Sequence, residues 1–202
     1  MERGYGITRH IQRYEYVIKQ GYVEDKVVID VGCGHGYGTL MMCCYAKHVM
    51  GVDTEMSSFM ANSVSPVFVP PDRKLGSRRF YPYKWEDVDP VKTKVDVTVA
   101  MEMIEHIQAP VMFLDFAKTI GPYLFLSTPL AEKTGPTRNP IHVVEYSHDD
   151  LVALVSNDFD ILDTKYQLSD LQIVDSATPS GDSHDEDHVV QMLWCKRKEG
   201  IQ

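Results

Sequence analysis

Two constellations in this 202-residue sequence bring together residue types that do chemistry. The first is Val27-Val-Ile-Asp-Val-Gly-Cys-Gly-His-Gly-Tyr-Gly38, an apolar run that meets an acid at Asp30 and then a turn with glycine at every second position. Glycine lets the backbone approach a flat ligand closely and take positive φ in the turn. Asp53 closes the next apolar run, His48-Val-Met-Gly-Val-Asp53, about where a nucleoside-binding β-α-β unit places the carboxylate that accepts both ribose hydroxyls. The second constellation is Glu102-Met-Ile-Glu105-His106, followed by His142 in Asn139-Pro-Ile-His-Val-Val-Glu-Tyr146. On a helix, Glu102, Glu105 and His106 stand at i, i+3 and i+4 and share one face. That is half of a divalent-metal site, with His142 as the candidate fourth ligand. Oxygen-rich ligation with two histidines suits Mg²⁺ or Mn²⁺, and Zn²⁺ or Fe²⁺ less well. The same two glutamates could instead charge a helix's first turn, with both histidines simply hydrogen-bonded.

These residues need elements to position them. Residues 8–20 place Ile11, Tyr14, Val17 and Ile18 at helical spacing, with Thr8 as N-cap and Gly21 as stop. This N-terminal helical segment occupies residues 1–26. Strands are predicted at 27–31, 48–53, 78–83, 95–101, 123–127, 159–168 and 189–197, and helices at about 37–46, from Glu55, at about 103–120 and at 149–156. Pro82 confines the third strand to an edge or a strand end. Alternating strands and helices imply a Rossmann-like, doubly wound α/β fold with a seven-stranded sheet, mostly parallel with an antiparallel last strand. Residues 175–188 are acidic and poor in core formers, which predicts a flexible loop. Its His184 and His188 read as solvated.

Composition sets the outer limits. The length suits one domain over 1–202, and 44% apolar content agrees. A net charge of −9 opposes a surface that grips nucleic acid through phosphates, and Arg73-Lys74 with Arg78-Arg79 reads as a solvated loop. No apolar run suits a signal peptide or a membrane span. Cys33, Cys43, Cys44 and Cys195 lack Cys-x-x-Cys spacing, so reduced thiols and a cytoplasmic location are expected.

Asp30-x-Gly32-x-Gly34-x-Gly36 resembles the first motif of class I S-adenosylmethionine (SAM) dependent methyltransferases, where a dinucleotide site would need Gly-x-Gly-x-x-Gly. From His10 to Gln167 the chain is similar to the broad group that includes ubiquinone-biosynthesis O-methyltransferases and methyltransferases of glycan gene clusters. Met101-Glu-Met-Ile-Glu-His106, Ser127-Thr-Pro129 and Asn139 to Ser147 carry the later part of that likeness. The resemblance implies that Gly32, Cys33, Gly34 and Gly36 line the methionine half of SAM, with Asp30 in the same motif. Asp53 would hold the ribose, and Thr54 and Trp85 would flank the adenine. Met101 would face the methionine amino group through its carbonyl, and Arg13 would reach the carboxylate or lie on a helix surface. The implied activity is O-methylation of a small molecule or sugar, with His106 as base and Glu102 beside it, or with a metal activating the hydroxyl.

Glu102, Glu105, His106 and His142 also match the two-Glu, two-His metal pattern of small-RNA 3′-end 2′-O-methyltransferases. Two alternatives therefore stay open: a metal-dependent enzyme acting on an RNA end, and a SAM-binding, non-catalytic subunit. Two features depart from the group. Thr119-Ile-Gly-Pro-Tyr123 replaces its Lys-Pro-Gly-Gly turn, and Lys84-Trp85 stands at its usual acid after strand 3.

Overall fold

The computed structural model describes residues 3–54, 73, 76–136, 139–179 and 188–200. The predicted helix from Glu55 and the centre of the 175–188 loop lie outside the described residues. Among the described residues, eight strands hydrogen-bond in the order β3-β2-β1-β4-β5-β8-β6-β7. They are β1 (Val27–Val31), β2 (His48–Val52), β3 (Ser77–Tyr81), β4 (Val97–Met101), β5 (Tyr123–Pro129), β6 (Phe159–Gln167), β7 (Ile173–Val174) and β8 (Val190–Arg197). Helices are α1 (Arg3–Lys19), α2 (Tyr37–Met42), α3 (Pro110–Ile120) and α4 (His148–Val155). The sheet is of the predicted Rossmann-like kind, with one strand more than the seven expected. The addition is β7, two residues that hairpin back antiparallel onto Tyr166 and Gln167 of β6. So short a strand carries no periodic signal in sequence.

The chain divides into two compact units, Met1–Val99 and Ala100–Gln202, with the division inside β4. In the first unit β1, β2 and β3 are parallel. Buried Val28, Ile29 and Val31 of β1 and Val49 and Val52 of β2 form its core with Leu40, Met41 and Met42 of α2. Strand β3 ends at the residue before Pro82, which cannot donate a ladder hydrogen bond. Helix α1 starts at Arg3, ahead of the predicted Thr8, and stops as expected at Gly21, whose φ is 73°. Helix α2 ends at Met42, earlier than predicted.

In the second unit β8 runs antiparallel to both β5 and β6, as expected of the last strand. Phe113, Leu114 and Ile120 of α3 and Leu124, Phe125 and Leu126 of β5 are buried on folding. Such side chains each contribute roughly 1.5–3 kcal/mol by leaving water. Helix α4 starts on Ser147, whose Oγ accepts from the Asp150 N–H at 3.3 Å. The helix predicted over 103–120 is two elements: a single 3₁₀ turn at Ile104–His106, then α3 from Pro110. Proline is stable at a helix's first position and breaks an interior, so the regular helix begins there. Among the described residues, no helix is long and apolar enough to cross a membrane.

Candidate functional site

The first unit builds a glycine turn from below. Asp30 is fully buried on β1, where Tyr14 of α1 donates its hydroxyl to Oδ1 at 3.0 Å and Thr39 of α2 donates to Oδ2 at 2.6 Å. Burial pushes the Asp30 carboxyl up to about 7; the Thr39 and Tyr14 hydrogen bonds oppose the rise and the Asp53 charge adds to it. Helix α1 can lie this close because residue 38 has no side chain: a Cβ there would sit 2.1 Å from the Tyr14 ring. Above Asp30, Gly32, Gly34 and Gly36 take φ of 72°, 52° and 79°, in the left-handed region where a Cβ is strained.

Asp53, just past β2, is half-buried, and its Oδ2 accepts from the Gly34 N–H at 2.8 Å. Gly32 N and Cys33 N both donate to Val52 O, at 2.9 and 3.3 Å. The glycine turn and the second acid are thus fastened together. Thr54 is exposed beside them. Cys33 is buried, and burial raises its thiol far above the ordinary range, so it serves as packing. Trp85 opens a 3₁₀ turn, Trp85–Asp87, and is half-buried. Arg13 is fully buried, which removes the helix-surface alternative for it.

The second unit gathers the other constellation. Met101 ends β4 and is buried. Glu102 then takes φ of 51°, a left-handed conformation that few non-glycine residues adopt. Its N–H donates to Ser127 O at 3.0 Å, and Ser127 Oγ donates to its carboxylate at 3.3 Å. The chain therefore leaves β4 by a sharp turn and not by a helix, and the shared face expected of Glu102, Glu105 and His106 does not form. Instead Glu105, His106 and His142 come together, with one ligand-capable atom of each inside a 4.8 Å cluster. Glu102 stands outside that group.

Main-chain bonds make this grouping. Val143 N and Val144 N donate to Glu105 O at 2.7 and 3.2 Å, and His106 Nδ1 meets Ile141 O at 2.9 Å. A carbonyl can only accept, so in the neutral imidazole Nδ1 carries the proton and Nε2 keeps its lone pair. The Glu105 carboxylate is wholly buried and accepts from Thr128 Oγ1 at 2.9 Å. His142 meets Glu145 Oε1 through Nδ1 at 2.7 Å and Asn139 Nδ2 through Nε2 at 3.0 Å. The imidazoles of His106 and His142 lie edge to face, 4.7 Å between centroids. Tyr146 is buried alongside, and its hydroxyl makes no hydrogen bond to any of the described residues.

Sequence reasoning passed over several of these partners. Glu145 and Asn139 lie three residues either side of His142, a spacing that could have marked them. Tyr14 and Thr39 carry no local signal, because their roles exist only once α1 and α2 close on β1.

A family model described as a methyltransferase domain matches residues 9–158. The chain belongs to that family. This methyltransferase is 28% identical over 123 residues to the ubiquinone biosynthesis O-methyltransferase of Paraburkholderia phytofirmans, covering 57% of its own length and 50% of that protein. It is 26% identical over 159 residues to a probable S-adenosylmethionine-dependent methyltransferase of Mycobacterium tuberculosis, covering 75% and 54%. It therefore spans about half the length of the curated relatives it matches. In fold, the methyltransferase is similar to 1,6-didemethyltoxoflavin-N1-methyltransferase of Burkholderia thailandensis, with a TM-score of 0.66 at 16% identity over 94% of this chain and 78% of that one. The matched family is of the kind its glycine motif resembles, and the Mycobacterium tuberculosis relative carries S-adenosylmethionine dependence in its name.

Proposed function

We propose that the chain, acting as one domain, transfers the SAM methyl group to a hydroxyl of a small molecule or sugar. The observation that carries this reading is the bond from Gly34 N to Asp53 Oδ2, which fixes a side-chain-poor turn beside a half-buried carboxylate. Gly32 to Gly36 would receive the methionine half, Asp53 both ribose hydroxyls, and Thr54 and Trp85 the adenine. Met101 would offer its carbonyl to the amino group and Arg13 its guanidinium to the carboxylate. Asp30, fully buried, acts by holding the turn. SAM supplies an already activated methyl, so the protein's task is mainly alignment.

His106 is exposed with Nε2 available as a base. As the acceptor oxygen bonds to the methyl carbon and the carbon–sulfur bond breaks, Nε2 takes the hydroxyl proton and S-adenosylhomocysteine leaves neutral at sulfur. Glu105, His106 and His142 also fit a divalent ion such as Mg²⁺ or Mn²⁺ in donor type and spacing, which would lower the pKa of an acceptor hydroxyl. Glu102 falls outside that donor set, and the net charge is −9, so a small acceptor is favoured over an RNA end. Four buried thiols suit a reducing, cytoplasmic setting.

Calorimetry with S-adenosylhomocysteine tests the reading. Asp53→Ala should bind it tenfold or more weakly, since a charged hydrogen-bond partner contributes about 1.5–3 kcal/mol. Unchanged affinity in a folded variant overturns the ribose assignment. Transfer of labelled methyl to any acceptor rules against a purely non-catalytic subunit. For the metal, Mn²⁺ titration of wild type and Glu105→Gln should show affinity lost in the variant; equal affinity rejects the site.

A further inference from the structure

The strap after β5 carries an unusual alternation. Ile141 is 68% exposed and Val143 46% exposed, while His142 between them is half-buried and Glu145 and Tyr146 are buried. Scattered apolar residues are ordinary on a protein surface. These two differ in that they bracket one imidazole of the reactive cluster, and the strap is bonded through its main chain to the other members. Ile141 O meets His106 Nδ1 at 2.9 Å, and Val143 N meets Glu105 O at 2.7 Å. The Ile141 N–H also donates to Asn139 Oδ1 at 3.2 Å, the residue that contacts His142. The contacts that set the imidazoles therefore also fix the backbone that carries the two apolar side chains. His106, the exposed member of the cluster, lies against this strap.

We propose that Ile141 and Val143 hold the apolar body of the acceptor, so that the methylated hydroxyl is borne on an aromatic or aliphatic skeleton and not on a bare sugar. This rests on the methyl-transfer reading and names its substrate class. A ligand that brings its hydroxyl to His106 Nε2 while laying carbon against both side chains removes apolar surface from water on each partner. A sugar would bring mainly hydroxyls to two side chains that cannot bond them. Ile141 and Val143 are specificity residues here, and neither takes part in the chemistry.

The test is calorimetric titration of 4-ethylphenol, 4-butylphenol and 4-hexylphenol into wild type and Ile141→Ser/Val143→Ser, with and without saturating S-adenosylhomocysteine. The expected result is affinity rising about fourfold per added methylene in wild type, the figure for burying apolar carbon. The rise should flatten in the variant, with S-adenosylhomocysteine affinity unchanged. Equal affinity along the series, no binding of the hexyl compound, or a rise that survives in the variant overturns the proposal. A wild-type dimer that dissociates in the variant does so too, by showing that a second copy covers the strap. Loss of S-adenosylhomocysteine binding strikes only the methyl-transfer reading, because the series without it still decides the acceptor class.

Discussion

At the level of single residues, Asp30 shows how a buried acid is made to work as a brace. Its two hydroxyl donors favour the carboxylate, but burial outweighs them and the group titrates at about 7. A carboxyl whose folded value lies above its unfolded one contributes stability in full below about pH 4, and this is lost as pH rises through 7. The slope in that window is about 1.4 kcal/mol per pH unit. Asp30→Asn has no such charge to bury. Its melting temperature relative to wild type should therefore rise from pH 5 to about pH 7 and level off above it, and a constant difference would show that Asp30 does not titrate there. The acid itself was legible in the sequence, since it ends an apolar run before a glycine turn. Its partners were not, because Tyr14 reaches it only through tertiary packing.

At the level of elements, strands were read best, since apolar runs bounded by glycine and proline leave little choice. Strands β1, β2 and β4 to β6 fall close to their predicted places. The helix across 103–120 fails for a local reason that periodicity does not register. Glu102 turns left-handed and Pro110 imposes a new start, so the acids were ascribed a helical face that does not exist. His142 still comes together with Glu105 and His106, because the turn and the strap are joined by backbone bonds. Helix α4 is simpler, since Ser147 both precedes an apolar period and caps it. Ser147→Ala should destabilise the protein by about 1 kcal/mol in urea unfolding. It should leave S-adenosylhomocysteine affinity alone, as α4 carries no cofactor residue. A midpoint unmoved by the change would mean that the cap contributes nothing.

For the molecule as a whole, all four cysteines are buried and reduced. Burial raises each thiol above its ordinary range, most strongly at Cys33 and Cys195. The native protein should thus react slowly with an aromatic disulfide reagent and yield four thiols only after denaturation. Rapid release of even one equivalent from folded protein would contradict this packing. The close approach at Gly38 carries a different consequence, for anyone diversifying this scaffold. Position 38 can accept a methyl only if the ring at 14 shrinks, and shrinking that ring withdraws the phenol from Asp30. In a randomised library the two sites will drift as a linked pair or stay frozen, whereas Ile141 and Val143 are open to recoding. Retargeting effort belongs on the strap, and the floor of the turn is best left untouched.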